Sequence, residues 1–95
     1  MKKIVRLELD GCNNISELHK RIKKTLGFPK HYGENLDSFW DCLSYECDVD
    51  FITLIGINSV SADLKDTIEQ IIELLEENKQ KWKNSAKPFD YEIIS

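Results

Sequence analysis

The 95-residue chain is poor in the residues that build covalent or metal frames. Its three cysteines, Cys12, Cys42 and Cys47, are an odd number without CxxC spacing, so no disulfide frame is indicated. They are expected as free thiols of a reducing cytoplasm. Only two histidines occur, His19 and His31, and neither stands at ligand spacing from a cysteine, which argues against zinc. The four glycines are isolated from one another, so there is no phosphate-cradling loop. Long apolar runs are missing too. Nothing approaches the roughly 20 residues a membrane span needs, and in MKKIVRLELDG the charges of Arg6 and Glu8 interrupt any signal-peptide core. The expectations are a cytoplasmic location, no membrane partner, no metal and no cofactor.

Positive charge is unevenly distributed. No Lys or Arg lies between Lys30 and Lys65, whereas Glu34, Asp37, Asp41, Glu46, Asp48 and Asp50 all fall there. The net charge of −4 argues against direct nucleic-acid binding and is compatible with a basic partner. The one basic run, Lys20, Arg21, Lys23 and Lys24, reads as the solvated face of an amphipathic helix; a phosphate-tracking surface would want a basic domain with exposed aromatics. Hydrophobic residues make up 41% and charged residues 32% of the chain, enough apolar area for one core, so residues 1–95 are expected to form a single domain.

Ile4 to Leu9 alternates, with Val5, Leu7 and Leu9 on one side, and predicts a strand ended by Asp10-Gly11. Ser16 is the expected N-cap of a helix whose stripe is Leu18, Ile22 and Leu26, closed by Gly27 and Pro29. After a loop, Asn35 can cap a second helix with apolar positions Leu36, Phe39, Trp40 and Leu43. The run from Phe51 to Ile57 is almost wholly apolar and β-branched, the pattern of a strand covered on both faces. Asn58 to Asp63 suits a short helical turn. Leu64, Ile68, Ile71, Ile72 and Leu75 then define a long helix ending near Trp82, and Phe89 to Ile94 the last strand. Helical crossovers between strands favour parallel pairing, so the expected fold is α/β, a small three-stranded parallel sheet with helices packed on it.

The chemistry concentrates in KHYGENLDSFWDCLS, residues 30–44. At about 100° per residue, Asp37, Asp41 and Ser44 form a second stripe beside Trp40, flanking the apolar one. Asp37 and Asp41 repel each other at i, i+4 and have no cation in their own helix. Four readings stay open for this pair: metal ligands, an acid/base pair, a solvated helix face, or an electronegative patch that suits a basic concave partner. Calcium fits poorly, because hard-cation loops place oxygen ligands at alternate positions around a glycine turn. Catalysis lacks a partner set. His19 is expected on the surface among lysines, and His31, in the loop before the second helix, has no motif giving it a nucleophile. Cys42 points away from the acidic stripe and is expected to pack half-buried.

Tyr32-Gly33-Glu34-Asn35-Leu36-Asp37, followed by Trp40-Asp41-Cys42-Leu43, closely resembles the signature of the barstar family, intracellular inhibitors of barnase-type ribonucleases. The likeness extends to the opening Met1-Lys2-Lys3, to Ser16-Glu17-Leu18-His19 and to the closing Ile93-Ile94-Ser95, and is weakest between Asp48 and Lys87. The resemblance implies a barstar-like fold and a ribonuclease inhibitor, not an enzyme, that plugs a cation-lined active site one-to-one. It places Asp41 at the position of an RNA phosphate, gives Asp37 further charged contacts, and sets Trp40, Gly33, Asn35 and Ser44 in or beside the contact surface. The chain departs from the pattern at His31, where the family type has tyrosine, and at Ser44-Tyr45-Glu46, where it has Thr-Gly-Trp. His31, Tyr45 and Glu46 are therefore expected contact residues that bear on the choice of target. A late glutamate, Glu73 or Glu76, is a further candidate. The alternative is an immunity or regulatory protein of the same fold directed at a different basic nuclease or toxin domain. Behind both stands a small hydrolase using His31 with Asp37 or Asp41.

Overall fold

A computed structural model of the chain describes residues 3–94; Met1, Lys2 and Ser95, which carry the ends of the resemblance, lie outside the described residues. The elements are β1 (Ile4–Glu8), α1 (Ile15–Leu26), α2 (Leu36–Asp41), β2 (Phe51–Ile55), α3 (Lys65–Trp82) and β3 (Asp90–Ile94). A π-helical turn, Cys42–Glu46, continues directly from α2, and two 3-10 turns, Ile57–Ser59 and Ala62–Leu64, precede α3. The three strands form one parallel sheet in the order β1-β2-β3, as the helical crossovers require. Ile4 pairs with Phe51 and Phe51 with Asp90, which fixes the register across the sheet. The middle of β2, Ile52 to Leu54, is buried on both faces, whereas β1 buries only its alternate side.

The core follows the periodicities of the sequence. Leu18, Ile22 and Leu26 of α1 and Ile68, Ile71 and Leu75 of α3 are all buried, together with Leu7, Leu9, Phe39, Ile52 and Leu54. Gly27 closes α1 in the left-handed conformation at φ 68°, where its N–H bonds the Lys23 carbonyl.

Three local expectations are corrected. The N-cap of α1 is Asn14, not Ser16: its side chain accepts from Glu17 N at 2.8 Å and its carbonyl from Leu18 N. Cys42 is fully buried, not half-buried. His19 is not a surface residue. It is 2% exposed, because its ring hydrogen-bonds through Nδ1 to the Tyr32 hydroxyl and so can leave water. Burial lowers the His19 pKa from its ordinary 6.5, slightly countered by the charge of Glu34. The Tyr32 phenol is pushed well above its normal range by burial, then by Cys42 and Glu34, so it keeps its proton. Tyr32 therefore donates to a neutral imidazole.

Candidate functional site

The loop before α2 is held from below. Tyr32, buried under it, packs against Phe28 with the ring centroids 5.1 Å apart and the planes tilted by 59°, and Phe28 meets Phe39 edge-on at 6.1 Å. These contacts pin the segment that carries His31 and Gly33. A short hydrogen-bond knot then fixes the start of α2. Asn35 Oδ1 accepts from Ser38 N at 2.8 Å, Asn35 Nδ2 donates to Gly33 O at 3.2 Å, and Gly33 N donates to Ser38 Oγ at 2.7 Å. Gly33 lets the loop approach closely: a Cβ there would lie 3.2 Å from Asn35 Nδ2 and 3.4 Å from the Ser38 side chain, so those side chains would have to shift by a few tenths of an ångström. Glu34, between them, sits at φ 53°, a left-handed conformation that a non-glycine residue adopts at a cost. Asn35→Ala removes the cap and unties the knot together. The expected loss is about 1 kcal/mol of stability, read as a shift in the urea midpoint with an unchanged slope.

Asp37 and Asp41 are exposed on α2, with Trp40 half-buried between them. They form one wall of a groove of about 560 Å³, completed by Gln70, Glu73, Leu74 and Glu77 of α3. Among the described residues, none of these four carboxylates has an ion-pair partner within 4 Å; the pairs are Lys3–Asp48, Arg21–Glu17, His31–Glu46 and Lys79–Asp90. Glu73 thus joins the acidic groove. Glu76 does not, since its carboxylate accepts from Tyr91 Oη at 2.8 Å and from Gln80 Nε2 at 2.7 Å. Glu77 escaped the reading of the sequence, although its i, i+4 spacing from Glu73 repeats that of Asp37 and Asp41.

The π turn redistributes the residues that follow. More residues per turn means less rotation per residue, which swings Ser44 back toward the core and brings Tyr45 toward the acidic stripe. Ser44 is accordingly buried, its Oγ without a hydrogen-bond partner, so it does not stand on the exposed face where the α-helical spacing puts it. Tyr45 is 71% exposed, and Lys81 Nζ of α3 lies 3.8 Å from its ring centroid and 5.7 Å from that of Trp40. Lys81 closes one end of the acidic face with a cation that the local sequence around α2 does not reveal. Glu46 turns the other way and meets His31 Nε2 at 3.0 Å.

The arrangement favours binding over catalysis. His19 is committed to Tyr32 in the interior, and the Cys42 thiol is pushed up by burial first and then by the charge of Glu46, opposite to what an activated nucleophile needs. No helix among the described residues is long and apolar enough to cross a membrane.

The family model described as Barstar (barnase inhibitor) matches residues 2–94. A protein of Bacillus subtilis (strain 168) named "Putative ribonuclease inhibitor YrdF" is 32% identical over 90 residues, covering 92% of this chain and 96% of that protein. With a parallel α/β fold of the expected kind and matches that span nearly its whole length, the chain belongs to the barstar family.

Proposed function

We propose that the protein is a cytoplasmic inhibitor of a barnase-like ribonuclease, held in the same cell as the immunity partner of that enzyme and binding it one-to-one. The observation that carries this reading is the groove in which Asp37, Asp41, Glu73 and Glu77 converge beside Trp40 with no ion-pair partner among the described residues. Four unpaired carboxylates repel one another in the free protein, and a partner lined with phosphate-binding cations relieves that repulsion. Asp41 takes the place of the RNA phosphate and Asp37 pairs with neighbouring cations. Trp40 supplies an apolar edge, while Gly33 and Asn35 hold the loop at the rim. Because the acids stand on a helix fixed by the Asn35–Gly33–Ser38 knot, little ordering entropy is lost on binding.

Calorimetric titration of the protein into purified barnase at low salt, with a parallel RNA-cleavage assay, tests the reading. One-to-one binding with loss of cleavage supports it. A second target class is favoured by His31, Tyr45 and Glu46, exposed positions where the chain departs from the family pattern. If barnase is not bound, a different basic nuclease or toxin domain becomes the partner, captured by the protein but not by an Asp41→Ala control.

Association should also be fast and salt-dependent. Complementary fields raise encounter rates by about 10- to 1,000-fold, and the screening length falls from about 10 Å at 0.1 M to about 3 Å at 1 M ionic strength. Stopped-flow mixing across that range should show the association rate falling by at least about ten-fold. A rate insensitive to salt would mean that apolar contact, not charge, guides the encounter.

A further inference from the structure

Where α2 passes into the π turn, the fold gathers three ligand-bearing side chains that are scattered in sequence. His31 Nε2 or Nδ1, Cys42 Sγ and a carboxylate oxygen of Glu46 all lie within 4.8 Å of one another. We infer that His31, Cys42 and Glu46 form a binding site for a zinc-class divalent cation, with imidazole, thiolate and carboxylate as three of four tetrahedral ligands. The fourth position is left to water.

The donor set selects the class of metal. One nitrogen, one sulfur and one carboxylate suit zinc and its neighbours, whereas calcium and magnesium require shells of oxygen. Zinc bonds of about 2.0–2.1 Å to nitrogen or oxygen and about 2.3 Å to sulfur put tetrahedral ligand atoms roughly 3.3–3.6 Å apart. His31 Nε2 and Glu46 already stand 3.0 Å apart, so the ion replaces an existing contact. The sulfur has only to be approached by about an ångström, by two side chains that are 68% and 41% exposed.

The backbone supports the set from both sides. Cys42 and Glu46 are four residues apart, where α2 passes into the π turn, and so share one side of the helix. His31 adjoins Tyr32, which the His19 hydrogen bond and the Phe28 ring hold in the core. The thiol is the one buried member. A thiolate in that position is unfavourable alone, and a dication within bonding distance offsets its desolvation. On binding, the metal–sulfur bond forms as the Sγ–H bond breaks, and the proton passes to solvent with no change of oxidation state. The reading of the sequence expected no metal because neither histidine stands at ligand spacing from a cysteine. Here the ligands are assembled across ten intervening residues, the end of the loop and the whole of α2, which no spacing rule detects.

The test uses the full, reduced chain and Co²⁺ alone as the probe, with Zn²⁺ as competitor. One equivalent of Co²⁺ should give thiolate-to-cobalt charge transfer and the strong visible absorption of a tetrahedral ion, both abolished by Zn²⁺. His31→Ala and Glu46→Ala replace exposed side chains and leave the core intact, and each should weaken the metal by about ten-fold or more. Cys47→Ser should leave the spectrum unchanged, and Cys42→Ser should remove the charge-transfer band. Absence of that band in the parent protein, or affinity unaltered by both His31→Ala and Glu46→Ala, would overturn the site. These readouts need no partner, so they stand or fall independently of the ribonuclease reading.

Discussion

Asp41→Ala should weaken the complex with a basic ribonuclease by about 2–5 kcal/mol, or about 30-fold to 4,000-fold in Kd. That range is general for truncating one member of a desolvated charge pair, and the barnase–barstar pair itself helped to define it. Asp41 should lose more than Asp37. Asp37 lies in the first turn of α2, where the unpaired backbone N–H groups already favour an anion in the free protein. Asp41 ends the same helix without that benefit, so more of its unfavourable energy is relieved only when a cation arrives. The substitution should not damage the fold, since removing one of two like charges at i, i+4 relieves a few tenths of a kcal/mol. Loss of binding therefore cannot be assigned to unfolding. Calorimetry at constant salt should compare Asp41→Ala with Glu69→Ala, an exposed acid of α3 outside the groove. Equal effects of the two substitutions would remove Asp41 from the centre of the site and leave only diffuse charge attraction.

Elements whose cause is local could be read from the sequence. The alternation of β1, the apolar run of β2 and the helical crossovers lead to a parallel sheet, and Asn35 caps α2 as its position suggests. The Asp37–Asp41 stripe is exposed as helical spacing requires. What could not be read depends on partners distant in the chain. His19 lies beside Leu18 and three residues before Ile22, a position compatible with the core stripe. Its burial is possible only because a tyrosine hydroxyl thirteen residues on satisfies its ring. The π turn has no propensity signal in Cys42–Glu46, yet it decides that Ser44 faces inward and Tyr45 outward. The far wall of the groove comes from α3, more than thirty residues after Asp37, so the convergence of Glu73 and Glu77 on Asp37 and Asp41 is a property of packing.

The His19–Tyr32 pair makes stability itself a function of pH. His19 is neutral and buried in the folded state with its pKa lowered, mainly by burial, while in the unfolded chain it titrates near 6.5. Between those two values the unfolded chain binds a proton that the folded protein does not. Stability is therefore fully present above about pH 6.5 and is lost as pH falls from there toward the folded value, at up to about 1.4 kcal/mol per pH unit. Protonation would also leave Nδ1 and the Tyr32 hydroxyl both as donors, so the hydrogen bond must reorganise. The shifted carboxylates act lower. Asp48, Glu76 and Asp90 are carboxylates held below their ordinary values, chiefly by hydrogen bonds to Lys3, Gln80 and the Tyr91 backbone, and they lose stability only as pH falls below about 4.5. Urea unfolding between about pH 7.5 and pH 5 isolates the histidine window. His19→Gln keeps an uncharged acceptor for Tyr32 and should flatten the profile, while exposed His31→Ala should leave it sloping. A slope that survives in His19→Gln would show that another group takes up the proton, whereas a flat profile in the parent would mean that the buried ring accommodates its charge. In the expected case, acidification softens Tyr32, the residue that anchors the loop carrying Gly33 and the start of α2. The acidic face would then lose its fixed geometry.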